Sequence, residues 1–175
     1  HIQATRHAFA AILGDGSVVS WGPACEPSSS VRGRLKDVQQ LQATRYAFAA
    51  ILGDGSALSW GIASSGGDSS GVQEQLKDVK HIQATDSAFA AILGDGSVVS
   101  WGHADYGGDS SRVQDMLLDV QQIQATRYAF AAILGDGSVV SWGQAAAVPM
   151  VPPVASAGRG WISSTLQKLS TTLFP

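Results

Sequence analysis

An all-β fold built from four repeated three-strand units follows from three observations. The stretch AFAAILGDGS recurs at 8–17, 47–56, 88–97 and 129–138, and each copy runs on into an apolar segment ending Ser-Trp-Gly. The closing tryptophans Trp21, Trp60, Trp101 and Trp142 are spaced by 39, 41 and 41 residues, a period that marks stacked or circular repeat architectures. Within AFAAIL both alternating sets are apolar, so a strand there must be covered on both faces, as in stacked sheets.

The elements follow in order through the third copy. Residues 78–84 (DVKHIQA) alternate loosely and read as a first strand, with equivalents starting at Asp37 and Asp119 and a truncated one at His1. Thr85-Asp86-Ser87 turns the chain into the second strand, 88–93. Periodicity alone would admit a buried helix there, but six residues running into Gly94-Asp95-Gly96 favour a strand and a tight turn. Ser97-Val98-Val99-Ser100-Trp101 is β-branched and forms the third strand. Each connection carries a glycine- and serine-rich loop, then one or two helical turns. Ser70 with Gln73, and Ser111 with Gln114, have the spacing of a capping box, whereas the first connection, 27–35, lacks it and is two residues shorter.

Units this small are stable only against neighbours. The small Ala10 and Ala11 and their equivalents permit close sheet approach, while Phe, Ile, Leu and Trp fill the layer between. Radial blades of a β-propeller satisfy this pattern, and a linear β-solenoid is the alternative. Four blades in an open arc would leave two bare sheet faces; closure into a four-bladed ring, pairing with a second copy or docking on a partner would each cover them, and coverage by a partner is the favoured expectation. The expected organisation is a four-repeat domain over 1–143 (units of about 1–37, 38–78, 79–119 and 120–143), a Pro/Ala-rich linker over 144–158 and a tail over 159–175. The tail reads as an amphipathic helix with Ile162, Leu166, Leu169 and Leu173 on one face, flanked by Trp161 and Phe174. It suits folding back on a blade, docking on a partner, or peripheral membrane contact.

Composition excludes several classes. Of 175 residues 45% are hydrophobic and 14% charged, against roughly 25% charged in average soluble domains, so most of the length is ordered and much surface is expected to be covered. A net charge of −3 gives no basic footprint for nucleic acid. The single Cys25 cannot form an internal disulfide, and no apolar run reaches the ~20 residues of a membrane-spanning helix. The chain opens at His1 without a methionine, the expectation for either a trimmed chain or a mature one that has shed a targeting segment.

No catalytic or cofactor motif emerges. Asp15, Asp54, Asp95 and Asp136 recur, but an Asp-Gly hairpin turn accounts for them and calcium-loop spacing is missing. The histidines do not recur and have no zinc-ligand spacing with Cys25. No nucleophile elbow follows a strand, and the Gly-Asp-Gly turns lack the lysine and helix of a phosphate loop. The expectation is a non-enzymatic protein without cofactor or metal. Variation between copies concentrates in the connections and in the turn pairs Arg6-His7, Arg45-Tyr46, Asp86-Ser87 and Arg127-Tyr128. The candidate partner-binding rim is therefore Arg45, Tyr46, His103, Tyr106, Arg112, Arg127 and Tyr128, residue types enriched at interface hot spots.

The carriers Leu-Gly-Asp-Gly-Ser and Ser-Trp-Gly in all four copies, with Tyr106-Gly107-Gly108 after the third, resemble the repeats of the regulator of chromosome condensation family over about four-fifths of the chain. That resemblance implies propeller blades and, among the family's roles, GTPase nucleotide exchange, substrate recognition in ubiquitin ligases and β-lactamase inhibition. The near-identical copies look most like the multi-repeat proteins of dinoflagellate algae. That likeness implies an accessory subunit of a larger assembly, a photosynthetic membrane complex being one host, with a plastid location. The chain departs from the family in having four units rather than seven and Gly-Gly-Asp-Ser (67–70, 108–111) where Gly-Gln-Leu-Gly is usual. It also lacks an exchange-factor wedge and a ligase domain. The expected function is a non-catalytic protein-binding scaffold or accessory subunit, with a regulatory binder (exchange factor or inhibitor) acting through the loop rim as the alternative.

Overall fold

The computed structural model describes residues 1–23 and 26–144, and over them the chain forms four three-stranded antiparallel meanders. The first comprises β1 (Ile2–Ala4), β2 (Phe9–Ile12) and β3 (Val18–Trp21). The second comprises β4 (Val38–Ala43), β5 (Ala47–Leu52) and β6 (Ala57–Gly61). The third is β7 (Val79–Ala84), β8 (Ala88–Leu93) and β9 (Val98–Gly102). The fourth is β10 (Val120–Ala125), β11 (Ala129–Leu134) and β12 (Val139–Gly143). The strand expected at 88–93 is β8, residue for residue. The first strands β1, β4, β7 and β10 touch in succession, so the sheets radiate from a common line as propeller blades. Cys25, most of the linker and the expected tail helix with Trp161, Ile162, Leu166, Leu169, Leu173 and Phe174 lie outside the described residues.

Strand alternation gives every blade two unlike faces. Pairing sets Phe48 opposite Trp60 and Phe89 opposite Trp101, so each blade carries one aromatic face and one small face of alanines with an isoleucine. The aromatic face of one blade packs on the small face of the blade before it. Phe48, Trp60, Leu41 and Leu58 lie against Ala8 and Ala10, and Phe89, Trp101 and Ile82 lie against Ala47, Ala49 and Ile51. Phe130, Trp142 and Ile123 lie against Ala88, Ala90 and Ile92. Burying one such phenylalanine contributes on the order of 1.5–3 kcal/mol, and the alanines let it approach without a void. Each blade thus completes its neighbour's core.

Backbone links reinforce the stacking at both ends of the strands. Val38 N donates to Gly16 O, Val79 N to Gly55 O and Val120 N to Gly96 O, each at 2.8 Å, so the hairpin turn of one blade holds the first strand of the next. The preceding aspartates Asp37, Asp78 and Asp119 adopt left-handed φ of 51–53°. The Asp37 carboxylate lies over Gly53, where a Cβ would come within 1.7 Å of its Oδ2, which explains the first glycine of the Gly-Asp-Gly turn.

The connections cover the outer edges, but not as capping boxes. Ser70 lies inside a 3-10 turn (Ser70–Val72), and its amide donates to Asp68 Oδ1 at 2.9 Å, an Asx turn rather than a reciprocal cap. The Gln73 amide reaches across to Ala57 O at 2.7 Å, and Ser69 Oγ accepts from Ser59 N at 3.1 Å. Gln114 repeats this on Val98 O at 2.9 Å. These side chains satisfy the outer strands β6 and β9, whose edges would otherwise invite pairing. The first connection, without the motif, forms a true α-helix, α1 (Ser29–Arg34), capped by the Ser28 hydroxyl accepting from Val31 N.

The tryptophans provide an internal comparison. Trp101 Nε1 donates to Gly66 O and Trp142 Nε1 to Gly107 O, both at 3.0 Å, whereas the buried Trp60 Nε1 has no partner among the described residues. The connection preceding β4 is the short one, without the Gly-Gly loop that supplies the carbonyl. Trp101→Phe should therefore cost roughly 1–3 kcal/mol more than Trp60→Phe, because only the former strands a buried carbonyl. Chemical denaturation of the two variants measures the difference, and equal losses would refute the assignment.

Candidate functional site

A threonine builds the rim of each blade, and in the second and third blades it is buried. Thr44 Oγ1 accepts from Ala47 N at 3.0 Å and donates to Ser65 O at 3.0 Å, closing the turn and tying it to the following connection. Thr85 does the same with Ala88 N and Tyr106 O. The residue after each threonine joins the next blade through its backbone. Arg6 N donates to Arg45 O (2.9 Å), Arg45 N to Asp86 O (2.9 Å) and Asp86 N to Arg127 O (3.1 Å). Four variable side-chain pairs are thereby held at equivalent places around the axial end of the arc.

Between them lies an open depression of about 610 Å³ lined by Arg6, Arg45, Asp86 and Arg127 together with the Ala-Thr steps of the first three blades and Thr126 of the fourth. Asp86 Oδ2 accepts from Arg45 Nη2 and from Arg127 Nε, both at 2.7 Å. These pairs are partly exposed, and their effect is to orient the guanidinium groups. The hydrogen bond to Asp86 raises the Arg127 pKa further, fixing its positive charge. Arg6 Nη1 donates to the Tyr46 hydroxyl at 3.3 Å.

An aromatic cluster flanks the charges. Tyr106 ends the 3-10 turn Ala104–Tyr106 and stands 5.2 Å from the Tyr128 ring of the next blade. His103 meets Tyr106 edge-on at 5.2 Å, and the Arg127 guanidinium lies 5.3 Å above the Tyr128 ring. His7 and Tyr46 approach to 6.0 Å. Of the residues expected at the rim, Arg45, Tyr46, His103, Tyr106, Arg127 and Tyr128 are brought to this end of the arc. Arg112 is not. It follows Ser110, whose hydroxyl accepts from Ser100 Oγ at 2.8 Å on the outer strand, so the connection has already left the rim. The expected set missed Arg6 and Asp86, although both stand in the same register after a threonine as Arg45 and Arg127.

The recurrent turn aspartates are engaged locally. Asp15, Asp54 and Asp95 each accept from the serine two residues on, hydroxyl at 2.6–2.7 Å and amide at 2.8–2.9 Å. The serine hydroxyl, then its amide, lowers each carboxyl below the ordinary aspartate value, and Asp136 is lowered likewise. Because the folded pKa lies below the unfolded one, the stability these groups contribute is complete above the ordinary value and is lost as pH falls through the depressed one. Carboxyl titration by NMR should show all four midpoints depressed, and Ser56→Ala should return Asp54 toward the ordinary value. An unmoved Asp54 midpoint would refute this account. Among the described residues no three or more His, Cys, Asp or Glu side chains converge as a metal site requires, and no helix is long and apolar enough to cross a membrane.

No family model matches the chain, and no curated protein matches it. Solved structures do. The ectodomain of the Arabidopsis thaliana receptor kinase ACR4, described as a CRINKLY WD40 domain, aligns with a TM-score of 0.55 at 20% identity over 85% of this chain and 52% of its own. Yeast RCC1 (Prp20), solved bound to Kap60, gives 0.57 at 17% identity over 81% and 42%. Human WBSCR16 gives 0.56 at 15% over 82% and 47%. The chain spans about half the length of each of these proteins. With four radial meanders of the same form, it has the fold of a β-propeller arc.

Proposed function

We propose that the chain is a non-catalytic protein-binding module, a scaffold or accessory subunit of a larger assembly, and that it takes its partner on the axial rim. The observation that carries this reading is the convergence, from successive blades, of three arginines and one aspartate over an open depression beside tyrosine and histidine rings. Arginine and tyrosine anchors on loops held by a rigid frame are what interfaces concentrate their energy in. The excess of guanidinium over carboxylate selects a partner segment bearing acidic side chains, although the chain as a whole is acidic. Yeast RCC1, which has the same fold, is solved bound to another protein, Kap60.

The test is affinity capture followed by direct titration of the captured partner. Tyr128→Ala and Arg127→Ala should each weaken binding by roughly tenfold or more, while Arg112→Ala leaves it within about twofold. Unchanged affinity for both rim variants would overturn the assignment.

A further inference from the structure

The two ends of the arc are the two halves of the interface that the chain already makes three times. At one end the aromatic face of the first blade is covered by no other blade among the described residues. Phe9 and Trp21 are 45% and 47% exposed and stack on one another at 5.5 Å, and Val19 beside them is exposed. The same pairs in the later blades, Phe48 with Trp60, Phe89 with Trp101 and Phe130 with Trp142, stack at 5.2–5.5 Å and are buried. What buries each is the small face of the preceding blade. At the other end the small face of the fourth blade is incompletely covered. Ala131, Ile133 and Val139 are half-buried, where their equivalents Ala90, Ile92 and Val98 are buried.

The backbone links are open at matching points. Arg127 N is the next donor in the series that joins Arg6 to Arg45, Arg45 to Asp86 and Asp86 to Arg127, and Arg6 O is the acceptor at its start. Neither has its counterpart among the described residues.

We propose that the small face of the fourth blade receives the Phe9–Trp21 face of a second copy of this chain, head to tail, with Arg127 N donating to the partner's Arg6 O. The faces themselves specify the occupant: the sequence of the open aromatic face matches those already seated on Ala-Ala-Ile faces, and the receiving face repeats theirs. Such a contact is heterologous, and with both ends engaged it closes as a two-chain ring. It uses the blade faces and only the backbone of two rim residues, so side-chain substitutions at the rim test the binding site proposed above separately.

Sedimentation equilibrium of the full chain from low to high micromolar concentration provides the test, with Val19→Arg on one face and Ala131→Arg on the other. Each variant's fold is checked by its far-ultraviolet circular dichroism and thermal transition. Wild type should show twice the chain mass. Either variant alone should dissociate roughly a hundredfold more readily, because a guanidinium would be buried unpaired. An equimolar mixture of the two should recover a dimer, because Val19→Arg keeps its fourth-blade face and Ala131→Arg keeps its first. A wild-type monomer throughout would overturn the proposal. So would an Ala131→Arg chain that still dimerises as tightly as wild type, which would indicate a symmetric contact between first blades. A monomer that dimerises only after removal of residues 145–175 would assign the face to the tail and overturn it too. If Ala131→Arg fails to fold, Val139→Arg on the same face replaces it under the same criteria.

Discussion

Phe89→Ala should destabilise the protein by about 3–5 kcal/mol, while the same substitution at Phe9 should cost less than about 1 kcal/mol in dilute solution. The two residues have the same neighbours in sequence and the same stacked tryptophan within their own blades. They differ in what lies across from them. Phe89 is fully buried against Ala47 and Ala49 and against the Gly66 loop, where a Cβ on Gly66 would come within 2.7 Å of its ring. Its removal leaves a cavity that flanking backbone cannot close. Phe9 faces outward, so its loss forfeits little beyond its contact with Trp21. With a typical domain stability of roughly 5–15 kcal/mol, the Phe89 variant loses a large share of the total. Urea denaturation of both variants reads the contrast. Equal losses at low concentration would mean that the first blade's aromatic face is covered even in the monomer. A Phe9→Ala loss that grows with protein concentration follows from head-to-tail association by mass action.

The strands were the legible part of the fold, because both of their constraints are local. Alternation within AFAAIL specifies two apolar faces and Gly-Asp-Gly specifies where the strand ends, so 88–93 is recoverable from six residues and a turn. The division into an aromatic and a small face is present in the same letters, since Phe89 and Ala91 share one side and Ala88 and Ala90 the other. The connections were less legible because their partners are distant. Ser70 and Gln73 satisfy a local capping pattern, yet the Gln73 amide instead donates across to the Ala57 carbonyl of the buried outer strand. Asp37 reads as the start of a strand, but its left-handed backbone follows from packing over Gly53. The rim was half legible. Variation between copies located Arg45 and Arg127, but the carboxylate between them comes from Asp86, 41 residues from either, and only the radial placement of blades brings the three together. Arg112 entered the expected set as an interface-type residue in a variable connection, but that connection has turned to the outer strand before reaching it.

Gly102→Ala should cost about 3 kcal/mol or more, although it adds one methyl group to a residue at the end of an outer strand. Gly102 has φ of 109°, a region that side chains rarely enter, and its added Cβ would lie 2.6 Å from Ser87 O and 2.8 Å from Ala88 Cα. Both contacts are with backbone, so no rotamer change relieves them. The turn that would have to move is the one Thr85 clamps and the one whose Asp86 amide joins the next blade. Strain at this position therefore spreads into two blades and into the rim. Gly137→Ala is the matched control. It too has positive φ, 83°, but nothing lies within 4 Å of its added Cβ, because no following blade packs on that turn among the described residues. It should cost only about 1 kcal/mol from backbone conformation. Its counterpart Gly96, whose Cβ would lie 3.0 Å from Asp119 Cα, should fall between the two. Thermal denaturation of the three variants orders them, and the ranking Gly102, Gly96, Gly137 is the expected result. A Gly137 loss that approaches the Gly96 loss only at high protein concentration would place a neighbouring blade against the fourth, as the head-to-tail contact requires. Equal losses for Gly102→Ala and Gly137→Ala at every concentration would show that the Trp-Gly turn does not clamp the blades together.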